Sequence, residues 1–125
     1  MRVSEIMHEV KAIGPDATLK EAANLMSEEG IGSLVISKGR QVLGILTERD
    51  VLRNVGRLNE KVEKIMSKNV VTIDDDKNID KAVEIMKENK IKRLPVKRDG
   101  ELVGIITVTD ILANSDSINE DFLFE

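Results

Sequence analysis

The chain has 125 residues, 19 basic and 23 acidic side chains, a net charge of −4 and 41% apolar residues, enough to bury a core and to exclude wholesale disorder. With no cysteine and one histidine it can hold no disulfide framework, thiolate metal site or cysteine nucleophile, and no metal site is expected. No apolar run approaches the ~20 residues that span a bilayer, the start lacks the apolar stretch of a leader, and interspersed charges argue against a nucleic-acid binder, so a soluble, cytoplasmic protein is expected.

Taken in chain order, EIM at 5–7 opens a short helix, and His8 follows in an expected surface loop, too isolated to serve as a base. A short strand over 10–13 leads to Thr18, which with Glu21 forms a T-x-x-E capping box. Leu19, Ala22, Ala23 and Met26 then recur at helical spacing until Gly30 stops the helix. A β-rich run over 33–37, a turn at Lys38-Gly39 and a second run over 41–46 predict a hairpin, and a helix opens at Thr47. After the polar stretch 56–61 the series returns: KIM at 64–66, a strand over 70–73, a helix over 78–89, runs over 93–97 and 101–106 joined by Asp99-Gly100, and a helix from Thr107. Asp74, Asp75 and Asp76 could suggest a divalent cation, but helix-start acids just ahead of the helix 78–89 are the stronger reading.

The return is an internal repeat. A shift of 60 residues lays Ile13 on Ile73, Ala22 on Ala82, Met26 on Met86, Ile31 on Ile91, Gly44 on Gly104, Thr47 on Thr107 and Asp50 on Asp110, and EIM meets KIM after a one-residue gap. Repeats 1–58 and 59–114 follow, with an acidic tail 115–125 that ends in Phe122-Leu123-Phe124, expected to dock on the pair or on a second subunit. A unit this small buries too little surface alone, so the two should pack on each other. Met7, Met26, Met66 and Met86 fall at equivalent places as core filler.

The segment G-h-h-T-x-x-D (h apolar) occurs twice, at 44–50 and 104–110. On spacing alone the favoured reading is local: a threonine N-cap and an acid three residues on. The same geometry also presents a hydroxyl and free N–H groups to a phosphate and a carboxylate to two sugar hydroxyls, while the glycine would let a flat base approach the backbone. Upstream, Pro95 in Ile91-Lys92-Arg93-Leu94-Pro95-Val96 points to an edge or irregular strand with open backbone groups. Lys92 and Arg93 suit phosphate oxygens, although singly each reads as a solvated charge, and so does Arg49.

These residues resemble the CBS domain family, whose domains come in tandem pairs. The resemblance covers about 3–114 and rests on the paired G-h-h-T-x-x-D segments, I-K-R-L-P-V and the helix start T-L-K-E-A-A-N-L-M. It implies an α+β fold of two β-α-β-β-α repeats packed sheet to sheet with pseudo-two-fold symmetry. It further implies two clefts for an adenosine ligand: AMP, ADP, ATP or S-adenosylmethionine. One would use Thr107, Thr109, Asp110 and Ile105 with Lys11, Ala12, Ile31, Gly32 and Lys92; the other Thr47, Arg49, Asp50 and Ile45 with Val70, Val71, Ile91 and Arg93. The first repeat has Gly32-Ser33 where the second has Lys92-Arg93, so cation supply is asymmetric.

With the resemblance, ligand contact outweighs pure capping at T-x-x-D. The expected protein is a stand-alone, non-enzymatic sensor for AMP or ATP, with no cofactor or metal, forming a homodimer and acting through an unknown effector. A constitutive interaction module with empty clefts, or an S-adenosylmethionine sensor, is the alternative.

Overall fold

The computed structural model describes residues 1–114; the expected docking segment Phe122-Leu123-Phe124 lies outside them. The elements are α1 (Val3–Ile6), β1 (Ala12–Ile13), α2 (Leu19–Glu29), β2 (Ser33–Lys38), β3 (Gln41–Thr47), α3 (Glu48–Arg53), single 3-10 turns at Val55–Arg57 and Val62–Lys64, β4 (Ile73–Asp74), α4 (Ile79–Asn89), β5 (Arg93–Arg98), β6 (Glu101–Thr107) and α5 (Val108–Ala113). The fold is α+β, with two three-stranded sheets ordered β1-β2-β3 and β4-β5-β6. In each the short first strand lies parallel to the middle one, which pairs antiparallel with the third.

Local chemistry accounts for the elements. Thr18 caps α2 by accepting the Glu21 N–H at 3.1 Å, and Asn78 caps α4 by accepting the Asp80 N–H at 2.9 Å. Both helices end in a left-handed residue: Gly30 (φ 64°), and at the equivalent place Lys90 (φ 54°). The hairpins close with two-residue loops. Asp99-Gly100 has positive φ at both residues, the geometry of a type I′ turn, whereas the other loop is Gly39-Arg40, with positive φ at the glycine. The expected turn at Lys38-Gly39 is thus one residue early, because Lys38 still pairs with Gln41.

Pro95 does not mark an edge. It lies fully buried in β5, the central strand of its sheet. The consequence appears on the β4 side: Ala12 pairs with Val35 in one sheet, but in the other pairing starts a residue later, at Ile73 with Val96. The bond from Val35 N–H to the Lys11 carbonyl (3.3 Å) has no counterpart at Val71, since proline has no N–H to offer.

The described residues form two compact units, Val10–Val70 and Met1–Glu9 with 71–114. The segment ahead of each repeat therefore belongs to the unit of the other repeat. Val3 and Ile6 lie in the core with Ile73, Ala82, Met86, Leu94, Val96, Ile106 and Ile111. Val62 takes the corresponding place beside Leu19, Ala22, Met26, Leu34, Ile36 and Leu46. Met26 and Met86 are buried and Met7 and Met66 pack against these clusters, as the repeat suggests.

Asp74–Asp76 lie just ahead of Asn78 and α4, outside the first turn of the helix itself. Asp74 ends β4, the acid in the first turn of α4 is Asp80, and Asp75 is bound at 2.6 Å by the Arg98 guanidinium.

Candidate functional site

Each G-h-h-T-x-x-D segment runs from the middle of a strand into a six-residue helix. Thr47 ends β3 and Thr107 ends β6, each in extended conformation, and the chain turns there so that the residue three on comes back over the threonine. Oδ2 of Asp50 accepts Thr47 N–H at 2.9 Å and the Thr47 hydroxyl at 3.1 Å, while Asp50 N–H donates to Thr47 Oγ1 at 3.3 Å. The second copy is the same within about a tenth of an ångström or two: Thr107 N–H at 2.8 Å and its hydroxyl at 2.9 Å to Asp110 Oδ2, and Asp110 N–H to Thr107 Oγ1 at 3.2 Å. Asn54 and Asn114 brace the backbone behind, their amides donating to the Asp50 and Asp110 carbonyls at 2.7 and 2.8 Å.

The capping box is therefore real in both copies. It occupies one carboxylate oxygen and leaves Oδ1 without a hydrogen bond among the described residues, so capping and ligand contact are compatible. Both aspartates are half-buried, while Arg49 and Thr109 between the clamp residues are exposed.

The unit Val10–Val70 brings Ile31 and Gly32 to its clamp. The Gly32 carbonyl accepts the Glu48 N–H at 3.0 Å, and Ser33 pairs with Thr47. Lys11 and Ala12 are exposed, at and just ahead of β1, and Lys11 Nζ lies 3.9 Å from Glu29. Ile45 and Val70 are half-buried. In the other unit the Lys92 carbonyl accepts the Val108 N–H at 3.0 Å, and Arg93 pairs with Thr107. Lys92 is exposed, Arg93, Ile91 and Val71 are half-buried, and Ile105 is buried.

The chain's own packing already requires a bare backbone at both glycines. A Cβ on Gly44 would run into Met66 Sδ and lie 2.8 Å from the Ser67 carbonyl oxygen; one on Gly104 would lie 3.0 Å from the His8 carbonyl oxygen and from Met7 Sδ. The backbone that approaches is the chain's own. Ser67 exchanges two hydrogen bonds with Ile45 (both 2.9 Å) and His8 exchanges two with Ile105 (both 3.0 Å).

That docking brings up a residue the sequence reading set aside. His8 Nδ1 lies 2.8 Å from Asp110 Oδ2. The available signal was the EIM/KIM match, which sets Met7-His8 against Met66-Ser67; the link to Asp110 needs the strand crossing, which no spacing encodes.

With the doubled clamp and the two sheets described, the family model that matches the chain is the CBS domain, over 3–57 and 62–116. The chain belongs to the CBS domain family. An uncharacterized protein of Methanocaldococcus jannaschii is 36% identical over 105 residues, 83% of this chain and 36% of that protein. Inosine-5′-monophosphate dehydrogenase of the same organism is 37% identical over 109 residues, 86% of this chain and 22% of the enzyme. The chain thus spans about a third or less of these two relatives, and what it shares with the dehydrogenase is the CBS part. Among solved structures, the CBS domain pair of protein MJ0100 in complex with 5′-methylthioadenosine and S-adenosyl-L-methionine superposes with a TM-score of 0.78 at 28% identity, covering 89% of this chain and 92% of that one. Among the described residues no helix is long and apolar enough to cross a membrane.

Proposed function

We propose that this CBS pair is a regulatory module without catalysis of its own, whose T-x-x-D sites bind an adenosine nucleotide, AMP or ATP. The observation that carries the reading is the doubled clamp, in which a strand-ending threonine fixes one carboxylate oxygen and leaves the other for a sugar hydroxyl. Ile45, Ile105, Ile31, Ile91, Val70, Val71 and Ala12 supply apolar surroundings for a base. Lys92 and Arg93 supply cations for phosphate, with Lys11, Gly32, Arg49 and Thr109 as flanking contacts. S-adenosylmethionine is the second reading, favoured by the MJ0100 complex. Having a sulfonium and no phosphate, it would draw on the aspartates for its sugar and would offer Lys92 and Arg93 only its single amino-acid carboxylate.

A thermal-shift panel of AMP, ADP, ATP and S-adenosylmethionine tests the site. A ligand at 100 times its Kd should stabilise the protein by about 2.7 kcal/mol, and that gain should shrink in Asp50→Ala and Asp110→Ala and vanish in the double variant. Stabilisation that survives the double variant would remove the site from the aspartates; no stabilisation by any of the four would favour a constitutive interaction module.

Output then passes through assembly or an effector. A homodimer through the helices is supported by the apolar groove between α2 and α3, lined by Ala23, Met26, Ile31, Val51 and Leu52, with Leu52 72% exposed. Leu52→Glu should lower the mass seen by light scattering from two chains to one; an unchanged mass rejects this face.

A further inference from the structure

The two clamps differ by one donor, and the difference makes the two sites chemically unequal. Oδ2 of Asp110 accepts Thr107 N–H, the Thr107 hydroxyl and His8 Nδ1 at 2.8 Å, whereas Oδ2 of Asp50 accepts only the two donors of Thr47 among the described residues. A carboxylate only accepts, so in the neutral ring Nδ1 carries the proton and Nε2 the lone pair. The ring is placed by backbone and not by chance. His8 is pinned to Ile105 by two 3.0 Å hydrogen bonds, and the same pair of bonds in the other unit sets Ser67 opposite Ile45. The chain's one histidine therefore stands at one of two equivalent carboxylates. It keeps half its side chain exposed (52%), against 20% for Asp110.

We propose that His8 is a specificity-determining residue of the Asp110 site, biasing it toward phosphate-bearing ligands and tightening them on protonation. The inference rests on the adenosine-site reading above. With a neutral ring the site presents an uncancelled carboxylate, which repels a phosphate. An imidazolium keeps its Nδ1–H on Asp110, cancels that negative charge and turns Nε2 from acceptor to donor. The Asp50 site has no such device. The charged groups on the elements around the ring are Asp110 on α5, Lys92 just ahead of β5 with Arg93, Lys97 and Arg98 on it, Glu101 at the far end of β6, Arg2 and Glu5 at α1, and Glu9 next in the chain. Among the described residues only Asp110 bonds to the ring, so it is the group the ring charge cancels first.

The test is calorimetric titration of AMP and of adenosine at pH 6 and pH 8 in an Asp50→Ala background, with and without His8→Ser. Since the AMP phosphate itself titrates near pH 6, the informative quantity is the ratio of affinities at the two pH values, compared between the proteins that keep His8 and those that carry His8→Ser. The expected result is an AMP ratio about tenfold larger with His8 present, within the usual range of site-to-site coupling, and adenosine ratios that match between the two. Ser67→His in an Asp110→Ala background should confer the same dependence on the Asp50 site. Equal AMP ratios with and without His8, in a protein that binds AMP, would overturn this inference and leave the adenosine site standing. Failure of wild type to bind AMP or adenosine at either pH would overturn both. His8→Ser melts beside wild type if, as its exposure implies, the ring is not part of the core.

Discussion

At the scale of single residues, the glycines of the repeated segment separate two demands that a motif merges. Gly44 and Gly104 precede the clamp by three residues, and each must stay bare because the chain's own backbone crosses there, at Ser67 and at His8. The crossing is closer at Gly44, where an added methyl would meet both Met66 Sδ and a carbonyl oxygen; at Gly104 the nearest atoms are at 3.0 Å and one of them belongs to the flexible Met7. Gly44→Ala should therefore cost about 2–3 kcal/mol and Gly104→Ala about 1 kcal/mol, within the range for overpacking, measured by urea unfolding. Equal costs would mean that the methionines alone give way. The need for glycine was legible in the sequence, and so were Thr47, Asp50, Thr107 and Asp110 as caps, because capping is local. What presses on the glycine was not legible, since its partner lies 23 residues downstream of Gly44 and 96 upstream of Gly104.

At the scale of elements, the repeat lets one half serve as the control for the other. α2 and α4 span 11 residues each and end at equivalent positions in left-handed conformation, one on Gly30 and one on Lys90. A non-glycine residue there costs roughly 1–2 kcal/mol against the Cβ clash. Replacing it also raises the freedom of the unfolded chain, which takes part of that gain back. Lys90→Gly should thus raise stability by about 1 kcal/mol, read as a shift of the urea midpoint at constant slope. A loss would show that the Lys90 side chain makes contacts outweighing the backbone strain. The helices themselves were readable from period and caps. The strands were less so, because Pro95 removes one ladder donor, and the rule that sends proline to an edge assumes that its missing N–H would otherwise be paired along a full strand. Here the neighbour β4 is only two residues long, so a single forfeited bond is tolerated in the middle of the sheet.

At the scale of the whole molecule, the linear repeats and the compact units do not share boundaries. The reason is in the lead segments. α1 offers Val3, fully buried, and Ile6 to the core containing Leu94, Val96 and Ile106, and ties its backbone to Asp75, Lys77 and Ile79 through Ser4, Val3 and Met1. Val62, also fully buried, does the same service for the core of Leu34, Ile36 and Leu46, tied through its N–H to Ala17 at 2.8 Å. A residue near the start of the chain thus stabilises strands some 70 to 100 positions away, in the second repeat. Val3→Ala removes two buried methyl groups, each worth about 0.8 kcal/mol in transfer, plus a cavity term, so about 2 kcal/mol in all. Hydrogen exchange should localise that loss. Amides of β4, β5, β6 and α4 should exchange faster in Val3→Ala, and amides of β2, β3 and α2 faster in Val62→Ala. If Val3→Ala loosened β2 and β3 first, the first helix would belong to the repeat it precedes, and the assignment of the lead segments to the opposite units would fall.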